Sequence, residues 1–431
     1  MVKVRGPKGT YDVLPADQPL RELVRTTAAA IFSSAGYQRI GTPAFEDTGL
    51  FERGVGSSSD IVRKEMYTFE DKGGRSLTLK PEGTAPVVRA YIQHGMHKLP
   101  QPVKLWYAER MYRFENPQAG RFREHYQLGA EAIGSGDPSL DAEMIMMLSD
   151  LYEALEVPGV ELRLGSMGCP ACREPFQKEL SSFLDERAGA FCPDCLERAR
   201  LNPLRVFDCK VEQCVAELER APLLVDSLCQ SCQDDFSALR GYLDSLGRSY
   251  RVDGTLVRGF DYYTKTTFEF ECARLGAQKG IGGGGRYDRL VEELGGAATP
   301  AVGFGTGLER IVLALESEGI SVPEVGIGVF LVTMGPEARE LVVPLVHRLR
   351  QEGLSVDMDY AGRKMKGQMK QADRLGAAFT VIIGEEEIAA GKAAVKDMGS
   401  GRQEQVPLAR LEDEIVLRLT QDGADGQKGS R

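Results

Sequence analysis

Residues 103–131 read VKLWYAERMYRFENPQAGRFREHYQLGAE: a strand, a loop punctuated by arginines, and a second strand. That combination predicts a site gripping nucleotide phosphates rather than a packed core. Arg113 and Arg121 each present a planar fork of donors to phosphate oxygens. Gln127 and Glu131 recur four apart on the returning strand and so share one of its faces. The expectation is one cleft that holds a nucleotide and a small substrate together.

Composition sets the scale around this stretch. A chain of 431 residues exceeds what one ordinary core encloses, so two or three domains are expected. Its hydrophobic content of 42% supports complete folding. The net charge of −10 repels polyanions at long range, so a nucleic-acid partner must be met by local basic patches. The opening MVKVRGPKGTYDVLP has no apolar targeting core. No run approaches the roughly 18 apolar residues of a membrane span. These features predict a cytoplasmic protein with no membrane association, in which nine cysteines act as thiols or metal ligands rather than disulfides.

Strand-like and helix-like stretches alternate through residues 1–165, and the same style resumes at 250–318 with the β-rich run FDYYTKTTFEFE. Between them, 166–249 holds short helical segments with eight of the nine cysteines, which reads as an inserted helical domain. Residues 319–327, with Pro323, form a linker. At 328–420 strand and helix alternate as βαβαβ, predicting an α/β unit with a parallel or mixed sheet; residues 421–431 are polar, Gly-rich and expected to be disordered.

Four further segments carry candidate chemistry. In LTLKPEGTAPVVRA (77–90), Glu82 and Thr84 flank Gly83 at a turn, where carboxylate and hydroxyl can accept protons from a substrate ammonium; the plainer reading is that they only cap the following helix. In LVRGFDYYTKTTFEF (256–270), Arg258 precedes a tight turn, and Tyr262 and Tyr263 are expected on opposite strand faces. The run GIGGGGRYDRLVEELGG lets backbone approach a ligand, or is simply a flexible turn; no Gly-Lys-Ser or Gly-Lys-Thr follows, so it is not a P-loop. Finally, AVGFGTGLERIVLAL (301–315) puts Arg310 in the first turn of an apolar helix, where it needs an anionic partner, either a phosphate or a nearby carboxylate.

Together these segments resemble the class II aminoacyl-tRNA synthetases, specifically the histidyl-tRNA synthetase family, over nearly the whole chain. RGPKGTYDVLP is similar to the family's opening. IGTPAFEDTGLFERGVG, LWYAERMYRFENPQAGRFREHYQLGAE and GFGTGLERIVL resemble the three class motifs. LVRGFDYYTKTTFEF and GGGGRYDRLVEELGG resemble the two histidine-specific signatures and are the more selective matches.

The resemblance implies an α+β catalytic domain with an antiparallel sheet, a homodimer formed around Pro43, and a C-terminal anticodon-binding domain. It implies adenylation of L-histidine by ATP with Mg2+ and transfer to histidine tRNA. Histidine binding falls to Glu82, Gly83, Thr84, Gln127, Glu131, Arg258, Tyr262 and Tyr263. Arg113, Arg121 and Arg310 bind ATP, and Arg258 and Arg113 are the catalytic cations. In the last unit, Arg363, Lys364, Lys366, Lys370 and Arg374 set five cations against Asp373 and become the candidate tRNA contacts. The alternative is the family's non-catalytic relative, a regulatory subunit of histidine biosynthesis, which typically lacks the anticodon domain.

The cysteines stand outside the resemblance. Three C-x-x-C pairs, at 169/172, 192/195 and 229/232, accompany Cys209 and Cys214. Eight thiols so spaced fit either two Cys₄ zinc sites or reduced structural thiols. If structural Zn2+ is bound, Cys192, Cys195, Cys229 and Cys232 are the candidate ligands.

Overall fold

The two runs flanking the arginine loop pair as long antiparallel strands in the computed structural model, which describes residues 3–56, 59–276, 278–322 and 326–426. The chain divides into two compact units, Met1–Val322 and Pro323–Arg431.

In the first unit the strands are β1 (Gln38–Arg39), β2 (Phe45–Asp47), β3 (Tyr67–Glu70), β4 (Ser76–Leu79), β5 (Val103–Tyr112), β6 (Glu124–Ile133), β7 (Val160–Ser166), β8 (Arg251–Val252), β9 (Thr264–Cys272), β10 (Gly280–Arg286) and β11 (Ala301–Gly307). Eight form one sheet in the order β1-β5-β6-β11-β10-β9-β7-β8, and β2, β4 and β3 form a small second sheet. The large sheet is antiparallel except at its margins, where the two-residue strands β1 and β8 run parallel to β5 and β7. The helices are α1 (Gln18–Ser34), α2 (Thr48–Gly54), α3 (Thr84–Gln93), α4 (Pro138–Ala154), α5 (Pro170–Glu186), α6 (Pro193–Leu201), α7 (Glu212–Leu218), α8 (Gln230–Ser245), α9 (Leu290–Glu293) and α10 (Leu308–Glu316).

Alternation along β6 decides which side of the sheet is open. Leu128, Ala130 and Ala132 pack with Val24, Ala28 and Phe32 of α1, Met144, Ile145 and Leu148 of α4, and Ile311 and Leu315 of α10. Because strand side chains alternate, Gln127, Gly129 and Glu131 face the other way. Helices α5 to α8 lie between β7 and β8, as the helical insertion predicts. They do not form a compact unit apart from the sheet: Phe236, Leu239 and Leu243 of α8 belong to the sheet's own core. The apolar stripe of an amphipathic helix such as α8 must be buried against a neighbouring surface, and here that surface is the sheet.

The second unit contains β12 (Val329–Thr333), α11 (Pro336–Gln351), β13 (Val356–Met358), α12 (Met365–Arg374), β14 (Phe379–Ile383), α13 (Glu385–Ala390), β15 (Lys392–Asp397), β16 (Gln403–Pro407) and α14 (Leu411–Gly426). Its sheet runs β13-β12-β14-β15-β16, parallel through β13, β12 and β14 and antiparallel beyond. Val329 and Leu331 of β12 pack with Val342 and Leu345 of α11, while Phe330 and Val332 pack with Ala372 of α12. Two covered faces explain why VFLVT and FTVII are unbroken apolar runs.

The end of the chain departs from the sequence reading. Residues 421–426, expected to be disordered, continue α14, since a helix begun on LEDEIVLRLT gains a backbone bond with each added residue. Residues 427–431 of that expected tail, and 323–325 of the expected linker, lie outside the described residues.

One buried ion pair ties β10 to the start of α4. Arg286 Nε donates to Asp141 Oδ2 at 2.9 Å, and its terminal nitrogens donate to the carbonyls of Ser135 at 3.0 Å and Asp137 at 2.9 Å. Both side chains are almost wholly inaccessible. Asp141→Ala removes the buried partner of Nε and leaves only the half-buried Asp288, which accepts from Arg286 Nη1 at 3.3 Å, so it is expected to lower stability by roughly 2–4 kcal/mol in urea unfolding; a loss under about 1 kcal/mol contradicts this reading.

Candidate active site

The open face of the large sheet forms the floor of a cavity of about 350 Å³. Its floor is made by what the glycines lack. On β11, Gly303 lies opposite Glu131 and Gly305 opposite Gly129. A Cβ on Gly303 would occupy the place of the Glu131 carboxylate, and one on Gly305 the place of the Gln127 amide. The tetraglycine run is thus not a flexible turn. It is strand β10, paired on both sides, and a Cβ on Gly283 would come within 3.0 Å of Arg258 Nη1.

Beneath this floor Glu131 is fully buried and takes three hydroxyl donors. Thr84 Oγ1 donates to Oε1 at 2.7 Å, Tyr107 Oη to Oε1 at 3.4 Å, and Tyr287 Oη to Oε2 at 2.6 Å. Burial pushes the Glu131 carboxyl up to about 8, with the three hydroxyls pulling the other way. Glu82 is also buried, which raises its pKa, but its carboxylate accepts from the backbone N–H groups of Thr84 at 2.7 Å and Ala85 at 2.9 Å. The plainer reading of that turn, an acid satisfying the first turn of α3, is therefore present. Glu82 and Thr84 nevertheless line the cavity. Gly83 permits this packing, since a side chain there would strike the Tyr107 ring.

Four arginines line one cavity. Arg113 Nε donates to the Pro81 carbonyl at 2.7 Å, and its guanidinium lies 5.8 Å from the Phe260 ring centre. Arg121 pairs with Glu115 at 3.3 Å. Arg258 Nη1 donates to Glu269 at 3.1 Å, and its Nε is buried without a hydrogen-bond partner. Arg310 donates to the Gln278 carbonyl, and its Nε is likewise buried without one. Burial and the nearby Arg121 charge lower the pKa of Arg310. Among the described residues no carboxylate pairs with Arg310 within 4.0 Å, so the simple salt bridge weighed for it is not formed. Gln127 Oε1 is a buried acceptor with no partner on the same cavity wall.

Tyr262 and Tyr263 are not on opposite strand faces. They precede β9 in the turn after Asp261, both buried, with ring centres 4.7 Å apart, and both reach the cavity. The tight Gly-Phe-Asp turn delays the strand, so period-two alternation does not yet apply.

Several residues of the site were not singled out from sequence. Tyr107 and Tyr287 hold Glu131; each sat inside a quoted motif, but alternation alone could not tell a hydroxyl on the cleft side from a core ring. His125 lines the cavity, and burial together with Arg113 and Arg121 depresses its pKa to about 3, leaving the imidazole neutral. Glu309 accepts from the Tyr126 backbone N–H at 3.0 Å and Tyr11 Oη at 2.7 Å, fixing the helix start that carries Arg310.

In the second unit, Arg363, Lys364, Lys366, Lys370 and Arg374 are all exposed on or beside α12, while Gln368 and Ala372 turn inward. Lys366, Lys370 and Arg374 recur every four residues along one face. Arg363 is partly engaged, donating to buried Asp359 at 2.6 Å.

The cysteines depart from the expected ligand set. Cys192 and Cys195, at the head of α6, do not meet Cys229 and Cys232, at the head of α8, because the start of α8 packs against the start of α5 instead. The thiols that come together are Cys169, Cys172, Cys229 and Cys232, and separately Cys192, Cys195, Cys209 and Cys214.

Comparison with known proteins gives a consistent result. A family profile described as Histidyl-tRNA synthetase matches residues 9–311, and one described as Anticodon binding domain matches 328–418. The chain is 48% identical over 413 residues to the histidine–tRNA ligase of Halothermothrix orenii, covering 96% of this chain and 99% of that one. It is 49% identical over 408 residues to that of Moorella thermoacetica, covering 94% and 96%. Apo S. aureus histidyl-tRNA synthetase superposes with a TM-score of 0.81 at 38% identity, covering 96% of this chain and 100% of that one.

The raised pKa of Glu131 predicts a pH signature. Its contribution to stability is complete below the ordinary value of 4.5 and is lost as pH rises through about 8. Urea unfolding of the ligand-free protein between those limits should show this fall in wild type and a flatter profile in Glu131→Gln. Identical profiles would contradict the assignment.

Proposed function

The chain belongs to the histidyl-tRNA synthetase family, and from that premise we propose how its cleft works. The enzyme is an aminoacyl-tRNA ligase. A histidine carboxylate oxygen attacks the α-phosphorus of ATP, the bond to the β-phosphate bridging oxygen breaks, and histidyl-adenylate and pyrophosphate result. A terminal ribose hydroxyl of histidine tRNA then attacks the activated carbonyl, and AMP leaves.

The observation that carries this reading is the set of unpartnered buried groups around one cavity: Gln127 Oε1, Arg258 Nε and Arg310 Nε. An acceptor and two cationic donors held out of water are complementary to an amino-acid zwitterion beside a polyphosphate. The α-ammonium sits among Glu82, Thr84 and Gln127, with Gly83 giving the turn its close approach. Tyr262, Tyr263 and Glu131 meet the imidazole end, the ring N–H replacing Thr84 as a donor to Glu131. Arg258 bridges the substrate carboxylate and the α-phosphate, Arg113 holds the α-phosphate, and Arg121 and Arg310 hold the departing pyrophosphate.

Such chemistry needs no side-chain nucleophile. The arginines place the carboxylate in line with phosphorus and neutralise the charge that grows there. Magnesium would supply counter-charge to the ATP phosphates, and Glu115 and Glu269, hard oxygen donors lining the cavity beside Arg121 and Arg258, would be suited to hold it. A site that hydrogen-bonds the imidazole rejects apolar analogues by roughly 10⁴-fold, since an analogue forgoes the bonds that the ring nitrogens make and buries polar groups of the site without a partner.

The second unit supplies the tRNA contact through Arg363, Lys364, Lys366, Lys370 and Arg374. The working form is a homodimer joined around Pro43, a reading supported by Phe45 and Phe69, which are 50% and 43% exposed on the small sheet and pack edge to face. No described helix is long and apolar enough to cross a membrane, and the setting is the cytoplasm, where translation takes place. The regulatory-subunit alternative is disfavoured by the retained Arg113, Arg258 and Arg310 and by the anticodon-type unit.

Arg258→His should lower histidine-dependent pyrophosphate exchange by at least about 10²-fold with an unchanged circular dichroism spectrum; activity within about threefold of wild type would refute the catalytic role. Lys366→Ala/Lys370→Ala/Arg374→Ala should leave that exchange unchanged while raising the KM for tRNA and flattening its salt dependence by about two to three phosphate contacts. An unaltered salt dependence would remove α12 from the tRNA interface.

A further inference from the structure

We propose that the helical insertion holds two structural zinc ions, each in a Cys₄ site, and that they brace the loop carrying Arg258, Tyr262 and Tyr263. The first site joins Cys169 and Cys172 at the start of α5 to Cys229 and Cys232 at the start of α8. The second joins Cys192 and Cys195 at the start of α6 to Cys209 and Cys214. Within each quartet all four sulfurs lie within 4.8 Å of one another.

The spacing matches a metal and not a disulfide. Zn–S bonds of about 2.3 Å put the edges of a tetrahedron near 3.8 Å. The sulfurs of Cys169 and Cys172 are 3.6 Å apart, those of Cys169 and Cys229 3.8 Å, and those of Cys192 and Cys209 3.9 Å. A disulfide requires about 2.05 Å, and all nine cysteines are free. Backbone donors point at the sulfurs, as thiolate ligands require: Cys229 N–H to Cys172 at 3.1 Å, Cys192 N–H to Cys214 at 3.2 Å and Val211 N–H to Cys209 at 3.4 Å. An all-thiolate tetrahedron selects zinc or iron, and of these only zinc is redox-inert in a structural role.

Each site carries an arginine to the active-site loop. Arg173, next to Cys172 on α5, donates to the carbonyls of Met167 at 3.1 Å and Tyr263. Between the ligands Cys195 and Cys209, Asn202 donates to Asp261 at 3.2 Å and Arg205 to the Gly259 carbonyl at 2.7 Å. The insertion thereby holds the Gly259–Tyr263 backbone from two directions, and the zinc ions hold the insertion. This bracing role rests on the loop's assignment to histidine binding, whereas zinc content is independent of it.

Metal analysis of the full chain, purified without chelator from zinc-supplemented cells, should find about two zinc ions per chain, and Cys172→Ser and Cys214→Ser should each remove about one. Fewer than about 0.3 zinc per chain, iron in place of zinc, or half-cystines in place of free thiols overturns both sites. Two zinc ions retained in either variant overturn the site that variant disrupts. Should the variants fail to fold, cobalt exchange into wild type should give the visible absorption of a tetrahedral thiolate site, saturating near two equivalents; no such absorption overturns the proposal. Arg205→Ala spares all eight thiols, so it should keep its zinc while raising the KM for histidine several-fold. Retained zinc with an unchanged KM overturns the bracing role.

Discussion

A carboxylate buried at the centre of the eight-stranded sheet, Glu131, is the constraint to which the cleft is fitted. An ionisable group taken out of water costs several kcal/mol unless donors meet it. Here the donors come from Thr84, Tyr107 and Tyr287, which are far apart in sequence and reach it from α3, β5 and the turn after β10. Satisfying one carboxylate therefore fixes three segments at once. It also explains Gly303, whose missing side chain is where Glu131 lies, and Gly83, whose missing side chain admits the Tyr107 ring. Once α3 is fixed, Glu82 falls at its first turn and Thr84 at the cavity wall, and one set of contacts serves packing and recognition.

Much of this was legible in the sequence because it is periodic or motif-bound. The strand pair around the arginine loop, the βαβαβ order after residue 328 and the helical insertion all follow from local pattern, and each is present in the fold. Arg113 and Arg121 were readable as phosphate ligands because they punctuate a loop between two strands, and Arg310 because a guanidinium in the first turn of an apolar helix demands an anion, while the family resemblance added Arg258 to them. What could not be read was contact between distant segments. Nothing in YDRL says that the Tyr287 hydroxyl meets Glu131, and nothing in LWYAER separates the cleft-facing Tyr107 from a core ring. Tyr262 and Tyr263 were misplaced because a turn after Asp261 shifts the start of the strand, and strand period carries no information before the strand begins. The tail at 421–426 was misjudged for a related reason: composition argues against starting a helix there, but not against extending one.

The cysteines show the same limit. Spacing identifies pairs, since C-x-x-C brings two sulfurs together within one turn, but which pair faces which depends on how α5 to α8 pack. The pairing expected from sequence joined the wrong two helices. The fold joins the thiols that open the insertion to those that close it, and leaves the middle four to themselves. That topology closes a loop at the insertion's base, next to the residues that line the cavity.

The central claim is that one cavity recognises histidine and activates it with ATP. Its most direct test is amino-acid-dependent exchange of pyrophosphate into ATP, run with magnesium and each of the twenty amino acids in turn. The account predicts exchange with histidine alone. Exchange with another amino acid, or none with any of them from folded protein, would contradict it.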